Sequence, residues 1–230
     1  MNYYLFDNNS LWNYYLIPEN INNLKLNPTK TNRCLKINAH KYLPNIYNFS
    51  IYIDGNIEII KDINLLLNKL KEKNKNINFF VPIHPDRKCI YEEAKSILKY
   101  KKDNKKNVIS QIKKIKKDGF PFNYGLSENN ILIRNHKDLT LIQLMEKWWE
   151  IIKNGSKRDQ LSFIYICWKY NFTKYVLIER NLINNYFLII RKHKQTKSRF
   201  IKRKKIEYKK IMNKKIKTKL IKKRDKMNKY

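Results

Sequence analysis

Short apolar runs and longer amphipathic stretches take turns along this chain, and that alternation points to one fold class: an α/β sheet covered by helices on both faces. "FSIYI" alternates and is β-branched, "INFFVPI" and "NILIR" read as strands, and "YYLF", "KYVLI" and "YFLII" are strand candidates nearer the two ends. Between them, "DINLLLNKLKEK" sets Ile63, Leu66, Leu67 and Leu70 on one helical face behind Asp62 as a cap. "NRCLKINAHKYL", "IYEEAKSILKY" and "NVISQIKKIKK" have helical spacing, the last ending at Gly119. "LTLIQLMEKWWEII" carries Leu141, Met145, Trp148 and Ile152 in a stripe and stops at Gly155, and a further helix is expected through "DQLSFIYICWKY". With 230 residues, 42% of them hydrophobic, the chain can bury one sizeable core, so a single domain is expected over residues 1–190.

The formal net charge of +32 would ordinarily indicate nucleic acid or an anionic membrane as partner. Abundant Lys, Asn, Ile and Tyr beside scarce Gly, Ala, Pro and Val reflect AT-rich coding whatever the function, so the distribution of charge says more than its total. From Arg191 to Tyr230 roughly twenty residues are basic, and only Glu207 and Asp225 are acidic. We read residues 191–230 as a Lys/Arg-rich tail, helical or disordered, able to hold an anionic membrane surface or nucleic acid. Cys34, Cys89 and Cys167 are widely separated and lack C-x-x-C spacing, which fits buried, reduced thiols rather than a zinc site or a disulfide framework. No signal peptide or transmembrane segment is expected, and the location inferred from this is cytoplasmic.

Four places could carry chemistry. In "SIYIDGNIEI", Asp54 ends a strand and Asn56 adds an oxygen two residues on, a pair suited to Mg²⁺ or Mn²⁺ against a diphosphate. Asp-Gly between alternating runs is equally the signature of a hairpin turn. "PIHPDRKCIYEEA" clusters His84, Asp86, Arg87, Glu92 and Glu93 after a strand, where Arg and His could hold phosphate or a sugar hydroxyl; Asp86 and the glutamates also suit the start of a helix. "ILIRNH" puts Arg134 and His136 at a strand end. In "GSKRDQLSF", Ser156 and Asp159 have the spacing of a capping box with Asp in place of Glu. A cap explains Asp159 but neither Arg158 nor Gln160.

Taken together, "SIYIDGNIEI", "HPDRKCIYEEA", "GLSENNILIRNH", "LMEKWWEII" and "SKRDQLSF" resemble, in order and spacing, the glycosyltransferase-like domain family named after plant TOD and mucilage-related MUCI proteins. The resemblance runs from about Asn32 to Trp168. It implies a GT-A-like, Rossmann-like mixed sheet flanked by helices, and transfer of a sugar from a nucleotide-sugar donor to a glycan, protein or lipid acceptor with Mn²⁺ or Mg²⁺. On that reading Asp54, Asn56 and His136 look like the metal residues, and Arg158, Asp159 and Gln160 the catalytic, acceptor-side motif. Arg33, Lys36, Asp54, His84, Arg87, Glu92 and Arg134 would then bind the donor. The family's Asp-x-Asp is Asp-Gly-Asn here, one carboxylate fewer. The stretch ahead of "YYLFDNNSLW" is shorter than in the family, with Asp7 as a partial nucleoside contact.

Two rival functions follow from the same residues. One is a basic nucleic-acid-binding protein acting through the tail and its aromatic residues; the other is a degenerate transferase kept as a sugar-nucleotide scaffold.

Overall fold

A computed structural model of the chain describes residues 4–5, 14–15, 21, 26–44 and 46–190. The expected tail over 191–230 and the expected contact at Asp7 lie outside them. The chain divides into two units, Met1–Leu188 and Ile189–Tyr230. The four-stranded sheet, its helices and the cleft described below all lie in the first.

In chain order the elements are β1 (Tyr4–Leu5), β2 (Tyr14–Tyr15), α1 (Pro28–Ile37), a 3-10 turn (Ala39–Lys41), β3 (Phe49–Ile53), β4 (Ile57–Ile59), α2 (Ile63–Lys73), β5 (Phe79–Pro82), α3 (Ile90–Lys99), α4 (Lys105–Lys117), β6 (Ile131–Asn135), α5 (Leu139–Asn154), a second 3-10 turn (Asp159–Leu161), α6 (Phe163–Lys169), β7 (Tyr175–Ile178), α7 (Arg180–Asn184) and β8 (Phe187–Ile189). The expected α/β class, a mixed sheet flanked by helices, is what the chain adopts. Strand order is β3-β6-β5-β7, with β6 antiparallel to both neighbours and β5 parallel to β7.

Side chains alternate across the sheet, and both faces are covered. Phe79, Val81 and Leu132 join the main core with Trp148, Phe163 and Ile164, while Phe80, Ile131 and Ile133, which point the other way, are buried too. The stripe on α5 is buried as its spacing demands, and Trp148, fully buried, still donates Nε1–H to Ser162 Oγ at 3.0 Å. Its ring meets Phe163 at 4.9 Å, and Phe163 meets Phe79 at the same distance, so α5, α6 and the sheet share one aromatic seam. Truncating such a residue costs about 3–5 kcal/mol. Helix starts follow their caps: Asp62 accepts Asn64 N–H, Asn104 accepts Lys106 N–H, and Asp138 accepts Thr140 N–H. All three cysteines are buried free thiols.

Two local expectations change. The Asp54–Gly55 turn forms, with Ile57 N–H donating to the Asp54 carbonyl at 3.0 Å, but it does not close a hairpin. β4 leaves the main sheet and pairs with β8, and among the described residues β3 stays an edge strand with β6 as its one partner in the sheet. The helix expected from Asp159 breaks into a 3-10 turn and α6, since Ser162 bends the backbone between them and its hydroxyl donates to the Asp159 carbonyl.

Candidate active site at the carboxyl edge of the sheet

β3, β5 and β7 run in one direction and β6 runs against them, so the residues after three strands meet the residues before the fourth. Asp54 N–H donates to the Asn130 carbonyl, Glu128 N–H to the Pro82 carbonyl and His84 N–H to the Leu126 carbonyl, each at 2.9 Å. Arg180 begins α7 just past β7. In open α/β sheets ligands bind outside this edge, where loops diverge and leave a crevice.

Helix α1 delivers two cations to the edge. Pro28 at its start and the Asn27 side chain, accepting Lys30 N–H, fix where the helix begins, and Arg33 and Lys36 then share a face one turn apart. Lys36 Nζ lies 2.7 Å from Asp159 Oδ2 and 3.9 Å from Asp54 Oδ1, and also donates to the Asn129 carbonyl. Arg33 Nε lies 3.1 Å from the same Asp159 oxygen. Asp54 Oδ1 accepts the Tyr52 hydroxyl at 2.7 Å, and the Lys36 ammonium stands over the Tyr52 ring at 4.7 Å. Burial pushes the Asp159 carboxyl up, but the Lys36 ammonium and Arg33 guanidinium outweigh it and hold the carboxyl below its ordinary value. Burial lowers the Lys36 pKa more than Asp159 and Asp54 raise it, but the 2.7 Å contact and the second cation at 3.1 Å keep Asp159 an anion between two cations.

That geometry explains "RDQ" better than capping does. Ser156 Oγ does not reach Asp159: it donates to Asp103 Oδ2 at 2.6 Å and accepts Arg158 N–H at 3.1 Å. Asp159 itself makes no cap bond, because its 2% exposed side chain turns inward to α1. Arg158 Nη2 donates to Gln160 Oε1 at 2.8 Å, and Gln160 Nε2 to the Glu128 carbonyl at 3.2 Å. Asp159 and Gln160 thus tie the 3-10 turn to α1 and to the loop before β6, and Arg158 braces Gln160.

The remaining expected residues divide between the two edges. His84 and Arg87 lie at the carboxyl edge. His84 Nδ1 accepts the backbone N–H of Asp86 at 3.2 Å and of Arg87 at 3.1 Å, while its Nε2 stands 3.1 Å from Arg87 Nη2 and 3.6 Å from Glu93 Oε2. The buried partner of Arg87 is Glu93, at 2.6 Å; Glu92, one position earlier on α3, faces solvent. Arg134 and His136 are not brought to Asp54. The β3–β6 register sets Ile53 against Ile131 and Phe49 against Asn135, so both lie toward the far edge. The buried Arg134 guanidinium donates to Ser50 Oγ and to the Ile37 carbonyl, where it satisfies the end of α1. His136 Nε2 sits 2.7 Å from Ser50 Oγ, and burial with Arg134 nearby lowers its pKa to about 4.

The sequence reading missed the loop ahead of β6. Asn129 is 1% exposed and left-handed (φ 59°), and both its side-chain amide atoms lack a hydrogen-bond partner. Ser127 Oγ, Asn130 Oδ1 and Arg158 Nε are likewise buried and unbonded. Burial pushes the Glu128 carboxyl above its usual value, with Arg180 at 3.7 Å offsetting part of the shift. The signal for this loop was Asn-Asn before an apolar strand, since Asn tolerates the left-handed region better than most side chains. A cavity of about 660 Å³ lined by Gln111, Lys114, Trp149 and Tyr170 shares no residue with this edge.

Comparison with known proteins agrees with the resemblance. The TOD1/MUCI70, glycosyltransferase-like domain matches residues 10–193, most of the chain. The chain belongs to this family. No curated protein matches it. Among solved structures, mouse xyloside xylosyltransferase 1 in its apo form is similar at 12% identity and a TM-score of 0.37, over 65% of this chain and 51% of that one. This chain thus spans about half of that protein's length.

TOD1/MUCI70 membership makes the fit of a divalent cation worth testing on the donor atoms. Hard cations take several oxygen ligands, usually with more than one carboxylate. Asp54 is the single acid at the end of β3, and its Oδ1 is engaged by Tyr52 and faced by Lys36. Asn56 follows on the turn, but His136 belongs to the other edge. Among the described residues no group of three His, Cys, Asp or Glu side chains is placed to hold a metal. The expected metal set does not fit these residues. Nor, among the described residues, is any helix long and apolar enough to cross a membrane.

Proposed function

We propose that this chain is a glycosyltransferase that binds a nucleotide-sugar donor at the carboxyl edge and passes the sugar to an acceptor hydroxyl on a glycan, protein or lipid. Family membership supports transferase chemistry, and one observation supports the place. Buried polar atoms of Ser127, Asn129 and Asn130, consecutive on the loop before β6 but for Glu128, and of Arg158 in the 3-10 turn's flank stand unbonded. Buried polar groups without partners are costly, and they persist where a ligand supplies the missing bonds.

In this reading Arg33, Arg158 and Arg180 face the diphosphate, since guanidinium groups match phosphate oxygens. Asn129 and Asn130 read the sugar hydroxyls. Asp159 holds Lys36 and Arg33 in position rather than taking the acceptor proton, because a carboxyl held low by two cations is a weak base. Glu128, raised by burial and partly exposed, has the better properties for that proton. Residues 1–190 form the transferase domain, and the tail over 191–230 serves as an anionic-surface anchor.

Thermal unfolding of the full chain against a panel of nucleoside diphosphates and their sugars tests this. A donor at a hundred times its Kd stabilises by about 2.7 kcal/mol. Stabilisation by one nucleotide, reduced in Arg158→Ala, is expected; indifference to every nucleotide would sink the donor site.

A further inference from the structure

We propose that Lys36 is the built-in counter-ion of this cleft, and that the donor diphosphate binds here without a divalent cation. The inference rests on the donor reading above and concerns how the same site balances charge.

Lys36 is coordinated much as a cation would be. Its ammonium is directed at a carboxylate oxygen of Asp159 (2.7 Å), the Asn129 carbonyl and a carboxylate oxygen of Asp54 (3.9 Å). Two donor hydrogens therefore meet oxygens of the 3-10 turn and the loop before β6, and the Asp54 carboxylate at the end of β3 stands at ion-pair distance. With 1% of the side chain exposed, the ammonium has no water to retreat to. A hard cation on Asp54 would sit about 2.1–2.6 Å from its oxygen. That places a second, divalent charge close to an ammonium that is itself shut off from water, on a carboxylate whose side chain is 32% exposed.

The acid side of the site is already matched. Asp54 takes the Tyr52 hydroxyl, Asp159 takes Lys36 and Arg33, and Glu128 faces Arg180 and the Asn130 amide. Two fixed anions and two fixed cations cancel in the network of Asp54, Asp159, Lys36 and Arg33. The diphosphate's own charge then meets groups with capacity left over. The Arg33 side chain is 13% exposed, Arg158 Nε is unbonded, and the Arg180 side chain is 33% exposed at the rim. Guanidinium groups on three separate elements can clamp adjacent phosphates in the way a metal otherwise bridges them.

The test uses the full chain with uridine, guanosine and adenosine diphosphates as probes, each in excess EDTA and again in MnCl2 or MgCl2, read as the shift in Tm. The responding nucleotide is expected to stabilise equally in both, its apparent Kd changing by less than about threefold. A shift that appears only with Mn²⁺ or Mg²⁺ would overturn the counter-ion proposal while leaving the donor site intact. No shift with any nucleotide in either condition would overturn the donor reading and this proposal with it. Electron paramagnetic resonance of free Mn²⁺ gives an independent readout. Adding the protein to Mn²⁺ and the responding nucleotide should leave the free signal no lower than nucleotide alone does, and a further loss would show a metal bound in the site.

Discussion

Replacing Lys36 by Met removes the ammonium but keeps most of the side-chain volume, so it isolates the charge. Breaking a buried ion pair by deleting one partner costs about 3–5 kcal/mol, because the other charge is left buried. Here Arg33 remains 3.1 Å from Asp159, which puts the expected loss at the lower end, about 3 kcal/mol. For a domain of this size that is a fall in Tm of roughly 6–12 °C. Pairing the change with Asp159→Leu should recover much of the loss, since a hydrophobic pair of similar volume often matches a buried ion pair. Urea unfolding of the two single variants and the double should give a coupling energy of about 2 kcal/mol. The acid side supplies a second readout. The folded Asp159 carboxyl is held below 3.8, so its contribution is present above that pH and is lost as pH falls through the folded value. Lys36→Met should flatten this part of the acid limb. A single-variant loss under about 1 kcal/mol, or strictly additive effects, would refute the assignment of Lys36 and Asp159 as a mutually dependent pair.

Asn129→Gly removes an amide that bonds to nothing in the fold and relaxes a left-handed backbone, so unfolding experiments should show stability unchanged or higher by up to about 1 kcal/mol. Nucleotide-induced stabilisation should fall in the same variant. In Gly155→Ala the added Cβ would meet Gln111 Oε1 at 2.5 Å and the Ile151 carbonyl at 2.8 Å, and the crowding should cost about 1–3 kcal/mol in thermal or urea unfolding. Folded His136 titrates at about 4 against an ordinary 6.5, so unfolded chains take up its proton first and stability should decline as pH falls between those values. His136→Gln should reduce that slope, with His40 and His84, both lowered by burial, supplying what remains.

The strands and helices were legible because their signals are local. "FSIYI" is β3 over the same five residues, the α5 stripe is buried as its period requires, and Asp62 caps α2 as expected. The site was legible in part. Arg33, Lys36, Asp54, His84, Arg87, Arg158, Asp159 and Gln160 all come to the carboxyl edge or its ion-pair network. Arg134 and His136 share the same sequence signal, polar groups at the end of a strand, yet lie toward the opposite edge, because β6 runs against its neighbours. Nothing in a single strand's composition states its direction in the sheet. Glu92 and Glu93 differ by one step on a helix, and only the packing of α3 decided which one would be buried against Arg87 and His84.

Periodicity, caps and turn residues thus determined which segments became strands or helices and that both faces of the sheet would be covered. Those properties depend on neighbours a few residues away. The pairing of Lys36 with Asp159 spans 123 residues, and its contact with the Asn129 carbonyl spans 93. Such contacts exist only once α1, the loop before β6 and the 3-10 turn converge on one edge, and there burial changes what each charge does. A motif that reads as a helix cap in isolation becomes, in the folded chain, the buried anion that holds two cations at the carboxyl edge of the sheet.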